Sequence, residues 1–263
     1  MSDETATKDE QQEDLAEGTL LSHLIELRSR LIKISIAVVG MFVILLPFSQ
    51  RIFVVVSQPL VDVLPGQKMI ATAVASPLLT PFKLTFFVAL FVVMPVVLYQ
   101  VWAFVAPGLY KKEKRFAFPL LGSSIILFYA GIAFAYFVVF ELVFGFFASV
   151  TPQSVEMMTD IAAYLDFITK IFLAFGIAFE VPIATVLIVW TGLTTPEKLG
   201  KARPYVFLMA FVVGMFLTPP DIISQTLLAV PVYLLYELGI LMSRLFSRER
   251  RQDTEETVTE DAN

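Results

Sequence analysis

The chain has no cysteine in 263 residues, which excludes disulfides, thiolate metal sites and a cysteine nucleophile together. Its single histidine, His23, cannot belong to a histidine metal cluster and reads as a surface residue rather than a catalyst. H-E-x-x-H, G-x-S-x-G and Walker-type signatures are absent, so no enzymatic activity and no cofactor are expected. No internal repeat, direct or inverted, is visible between the halves, which weakens the commonest secondary-transporter architecture. Charge is scarce as well, at 16% of residues, and much of it sits at the ends. Residues 1–17 hold seven acids and one lysine, and residues 252–263 hold five acids, so the net charge of -5 conceals a basic interior of 18 bases against 12 acids.

What is present is apolar length. Hydrophobic residues make up 57% of the chain and mean hydropathy is +0.77, above the roughly 45–50% apolar share of soluble domains. Against a need for about 20 residues per crossing helix, apolar runs near 31–50, 82–105, 117–140, 167–190, 205–217 and 222–241 predict six spans. The first run follows Arg28, Arg30 and Lys33, but no small-residue cleavage pattern follows Pro47, so it is expected to be a retained helix rather than a secretory signal. With six spans, Lys8, Arg28, Arg30, Lys33, the Lys111–Arg115 cluster, Lys198, Lys201, Arg203, Arg244, Arg248, Arg250 and Arg251 share one side. Only Arg51, Lys68, Lys83 and Lys170 face the other, and fifteen bases against four predicts that both termini are cytoplasmic. Composition divides the chain into an acidic tail over 1–17, a membrane domain over 18–246 and a tail over 247–263, both tails too polar to bury a core and expected to be disordered. The fifth run has 13 residues, about 20 Å of helix against a hydrocarbon core of about 30 Å. It reads either as half of a short hairpin over which lipid thins or as a re-entrant segment.

Polar groups inside or beside these runs need reasons. In LLSHLIELRSRL (20–31), Leu20, Leu24, Leu27 and Leu31 form one stripe, and Glu26 on the other face stands four residues before Arg30; an exposed pair of this kind stabilises a helix by about 0.3–0.5 kcal/mol. Glu113 is the one acid among Lys111, Lys112, Lys114 and Arg115, either a binding group or the neutralising member of a topology signal. Glu180 falls midway along the fourth run, where an ionised carboxylate costs a few kcal/mol unless paired, hydrated or protonated; it is a functional candidate or a neutral acid bonded across the bundle. Asp221 follows Pro219 and Pro220 and suits a helix cap more than a proton relay. Met215, Thr218 and Gln225 can form a small polar cluster at the outer end of the hairpin. Pro95, Pro182 and Pro231 lie inside spans and are expected to kink them.

Several strings in order, HLIELRSRL (23–31), IATAVASPLLTPFKLTF (70–86), YQVWAFVAPGLYKKEKR (99–115), FAYFVVF (134–140), AFGIAFEVP (174–182), RPYVF (203–207) and GMFLTPPDIISQ (214–225), closely resemble the TatC family of the twin-arginine protein translocase. The resemblance covers about residues 20–245. It implies an all-α integral membrane protein whose six transmembrane helices form a curved, cup-shaped bundle, with helices five and six short. It implies a multi-pass subunit of the bacterial cytoplasmic (inner) membrane that receives the twin-arginine signal peptides of folded proteins, works with the single-span TatA and TatB subunits in a homo-oligomeric receptor complex, and uses the proton-motive force. Carried over by position, Glu26 and Glu113 would bind the signal, with Arg28, Phe104 and Leu109 beside them. Two planar guanidinium groups are well read by two carboxylates, which a lysine's point charge cannot imitate. The bases around Glu113 should repel such a ligand, so its carboxylate is expected to project away from them. Glu180 matches the family's glutamate on the concave face; Met215, Thr218 and Gln225 match its partner-binding patch; Pro59, Ser76 and Pro77 match its outer cap. The rival reading is an ion-coupled secondary transporter in which Glu180 and Asp221 relay protons.

Overall fold

A computed structural model describes residues 3–63, 69–105, 114–152, 158–217 and 222–260. These parts are mainly helical, with an isolated bridge between Ile70 and Asp160. Helix α1 (Asp3–Leu45) passes through a single 3-10 turn at Leu46–Phe48, where Pro47 interrupts the ladder, into α2 (Ser49–Val63). Helices α3 (Ser76–Val92) and α4 (Met94–Val105) follow, then α5 (Lys114–Phe134), a π turn over Ala135–Val139 and α6 (Phe140–Val150). Helices α7 (Ile161–Ala178), α8 (Val181–Trp190), α9 (Pro196–Leu217) and α10 (Ile222–Glu260) complete the chain.

Among the described residues five helical stretches are long and apolar enough to cross a membrane, namely Leu24–Asp62, Pro119–Val150, Ile161–Trp190, Pro196–Leu217 and Ile222–Leu245. A sixth is the pair α3–α4, bent by 49°. The expected spans all lie within or largely overlap these stretches, which mostly run longer because hydropathy marks only the lipid-facing part of a helix. For α9 the helix has 22 residues, but its first two turns carry Glu197, Lys198, Lys201 and Arg203, so the apolar stretch is still the one that begins at Tyr205.

Two of the three span prolines stand at breaks between helices. Pro95 stands just past the turn at Val93 that bends α3 into α4. Pro182, which lacks an amide hydrogen and whose ring crowds the carbonyl four residues earlier, follows the turn at Phe179–Glu180 that separates α7 from α8. Pro231, by contrast, lies inside α10 without ending it; one missing hydrogen bond is tolerated in a membrane helix when neighbours occupy the freed carbonyl. Helix α1 begins at Asp3 and α10 runs on to Glu260, inside both polar tails. Their low apolar content excludes a core but not a helix, since Glu, Gln, Lys, Arg and Ala are favourable helix residues and extending an existing helix needs no new nucleus.

The core lies where α3, α5, α6 and α7 meet. Phe128, Phe140, Phe172 and Phe175 are buried there with Leu84, Ile168, Ile171 and Val143. Phe140 and Phe172 meet edge to face at 5.0 Å, and Phe91 approaches Phe172 at 6.0 Å. Lipid tails are as apolar as these side chains, so shape and close approach, not escape from water, hold the helices together. Gly131 on α5 shows how close that approach is: a Cβ there would lie 2.5 Å from the carbonyl oxygen of Phe175 on α7. Gly239 does the same for α10 against α8, where a Cβ would lie 3.0 Å from Pro182 Cα.

Candidate functional site

At the α1–α4 contact, Glu26 forms the expected pair with Arg30, and the pair reaches further than one helix. Arg30 Nε and Nη2 both donate to Glu26 Oε1, at 3.0 and 2.5 Å, while Nη1 donates to Gln100 Oε1 at 3.0 Å and Nη2 to the Ala103 carbonyl at 3.0 Å. Arg28 is exposed on the same helix, and Phe104 is half-buried one residue beyond Ala103. Thus the structure brings Glu26 to the helix that carries Phe104. Leu109 and Glu113 lie outside the described residues, as do Thr218 and Asp221.

Glu180 occupies the turn between α7 and α8, the one place in that span where the backbone ladder is already broken. The buried Ser124 on α5 donates its hydroxyl to Glu180 Oε2. Oε1 is buried with no hydrogen-bond partner among the described residues. A carboxyl bonded on one side only, in an apolar wall, is a group able to accept or hand on one further bond.

On α9 and α10, Gln225 Nε2 donates to the Phe211 carbonyl at 2.6 Å, and its Cγ stands 3.2 Å from where a Cβ on Gly214 would sit. Gln225 therefore stitches the two helices, and Met215, one residue after Gly214, is exposed beside it. The residues that the resemblance assigns to an outer cap differ in surroundings: Ser76 is buried at the first turn of α3, its amide bonded to the Ala73 carbonyl at 3.1 Å, while Pro77 is exposed and Pro59 lies half-buried inside α2.

Sequence reasoning missed three polar ties. Asp160 caps α7, its Oδ1 accepting from the amides of Ala162 and Ala163 at 2.9 and 3.0 Å, and its Oδ2 accepts from the amide and hydroxyl of Thr72 at 2.9 and 2.7 Å. Beside it, Ile70 donates to the Thr159 carbonyl and accepts from the Ile161 amide, at 3.0 and 2.9 Å. The Thr72 amide, then the α7 amides and the Thr72 hydroxyl, favour the carboxylate and hold Asp160 down from the ordinary 3.8 to about 2. An aspartate immediately before an apolar run is a helix-start signal, so its capping half was legible; its partner 88 residues away was not. Arg203 on α9 grips both oxygens of Glu237 on α10, at 2.7 and 2.8 Å, and Tyr233 donates to the same carboxylate at 2.9 Å. Lys83 and Asp166 form a third tie at 2.5 Å between α3 and α7, exposed at both ends. Among the described residues no three acidic or histidine side chains converge as a metal site would require.

Comparison with known proteins places this arrangement. The family model described as Sec-independent protein translocase protein (TatC) matches residues 22–231. The Sec-independent protein translocase protein TatC of Azotobacter chroococcum mcd 1 is 59% identical over 232 residues, 88% of this chain and 91% of that protein. Its namesake from Escherichia coli (strain K12) is 56% identical over 237 residues, 90% of this chain and 92% of that protein. A crystal structure of the twin arginine translocase receptor TatC aligns with a TM-score of 0.78 at 37% identity, covering 85% of this chain and 98% of that one.

Proposed function

The chain belongs to the TatC family of Sec-independent protein translocase proteins, and from that premise we propose that it binds the twin-arginine signal peptides of folded proteins at the cytoplasmic face of the inner membrane. It is a multi-pass, all-helical membrane protein and a component of a protein translocase. In the proposed reading Glu26 and Glu113 accept the two guanidinium groups, with Arg28, Phe104 and Leu109 bordering the site. The observation that carries it is the half-exposed carboxylate of Glu26, fixed against α4 through Arg30 on the side where the basic residues gather. That same basic bias, fifteen of 19 bases on one side, supports cytoplasmic termini.

TatA and TatB are the proposed partners, engaging the patch of Met215, Thr218 and Gln225 on α9 and α10, with the proton-motive force driving transport and several copies of this chain sharing one receptor complex. Glu180 is the polar contact on the concave face, oriented by Ser124, and Pro59, Ser76 and Pro77 shape the outer cap. A charge-assisted bond contributes about 1.5–3 kcal/mol, so Glu26→Gln should weaken a twin-arginine peptide by about tenfold or more and Glu113→Ala should act similarly. Binding to detergent-solubilised protein measures both. Undiminished affinity in both variants would refute the receptor assignment.

A further inference from the structure

The sequence offers Arg30 as an ordinary surface partner of Glu26, and a surface ion pair does little. Its geometry is not ordinary. The guanidinium makes four hydrogen bonds to three acceptors on two helices, and its side chain is 18% exposed where Glu26 is 37% exposed. Both of its bonds to Glu26 end on Oε1. Among the described residues nothing donates to Oε2. A carboxylate has about four acceptor sites over its two oxygens, so Arg30 fixes the plane of the group while leaving half of its accepting capacity unused among the described residues.

We propose that Arg30 is a positioning residue of the guanidinium site: anchored on Gln100 and the Ala103 carbonyl of α4, it holds Glu26 by Oε1 and presents Oε2 to an arginine of the incoming peptide. This rests on the receptor reading given above. The planar fork makes the role possible, because a guanidinium can bond to a carboxylate, an amide and a backbone carbonyl at once while a lysine ammonium acts as a single compact charge. The bond to Gln100 does a second task. It ties the orientation of Glu26 to α4, so a shift of either helix is felt at the carboxylate.

Electrostatics alone predicts the opposite sign, which makes the proposal sharp. Arg30 puts a positive charge beside a carboxylate meant for a dication, so its removal should tighten binding if charge were all that mattered. If orientation matters more, removal weakens it. The experiment measures affinities of detergent-solubilised protein for a twin-arginine peptide and for the same peptide with two lysines, in native chain, Arg30→Gln, Arg30→Lys and Gln100→Ala. Arg30→Gln and Arg30→Lys should each lose about tenfold affinity for the arginine peptide, the equivalent of one misaligned charge-assisted bond, with less than about twofold change for the lysine peptide. Gln100→Ala keeps the charge and the intrahelical pair, and should lose about threefold, again for the arginine peptide only. Collapse of the ratio between the two peptides is the signature, since general loosening of the fold lowers both affinities alike; unchanged gel-filtration behaviour and helix content identify folded variants. Tighter or equal binding of the arginine peptide by Arg30→Gln and Arg30→Lys would overturn the positioning role while leaving the receptor reading intact. A native chain that binds neither peptide would instead overturn the receptor reading.

Discussion

The first and fourth spans are built on opposite terms. In the Ile161–Trp190 span half of the apolar window, 50%, is buried inside the protein; in the Leu24–Asp62 span only 6% is. The fourth is held by interlocking rings and by close helix approach at Gly131. The apolar window of the first meets the bundle at fewer points, the span being tied by the Arg30 bonds to α4 and the edge-to-face pair Phe42–Phe86 at 5.9 Å, while only its far end, at Leu60, enters the core. Ile32, Ile36, Val39, Val43 and Ile44 face outward. A span fixed by packing is intolerant of volume change, whereas one fixed by polar points is tolerant along its length and sensitive at those points.

Substitutions can break that contrast, and the largest effect belongs to the packed side. Gly131→Leu would drive a side chain into the backbone of Phe175, and because backbone cannot step aside the loss should exceed about 3 kcal/mol, the upper end of overpacking; recovery of monodisperse protein and its unfolding in denaturant measure it. Phe140→Ala leaves a cavity beside Phe172 and should cost about 3 kcal/mol by the same assay. A fully native unfolding curve in both variants would erase the distinction.

Smaller and conditional is the staple at Asp160. Because its pKa is lowered from 3.8 to about 2, its stabilising effect is complete above about pH 4 and disappears as the pH falls through 2. Exchange of the Thr72 and Ile161 amides, corrected for intrinsic rates, should therefore accelerate on acidification from pH 4 to 2, and Asp160→Asn should exchange fast at both values. Equal protection in native and Asp160→Asn chains would show that the Ile70 bridge alone holds the cap. At the far end of the scale, Val43→Ala on the outward face of the first span should change stability by no more than about 0.5 kcal/mol; a larger loss would reveal that this face is packed after all.

The spans and most of their bends were legible because both are local properties. Apolar length is written in consecutive residues, and a proline such as Pro182 disrupts its own helix wherever that helix sits. The i, i+4 spacing of Glu26 and Arg30 was legible for the same reason. Gln100, the third member of that group, was not, since nothing in the sequence says that α4 passes beside α1. Arg203 read as one more base on the inner side until Glu237, 34 residues on, came to face it. Of the tails, composition reports only what they cannot bury; a polar segment joined to an apolar helix can still continue its ladder.

The π turn at Ala135–Val139 amounts to one surplus residue absorbed in mid-membrane. Were the turn to tighten to plain α geometry with no residue removed, every later position in that rod would rotate by about 100°, swinging Phe140, Val143 and Phe144 out of the aromatic nest they now fill. Length and phase in this rod are thus keyed together, so a lone insertion or deletion on either side would need a second, compensating one before the far end could seat.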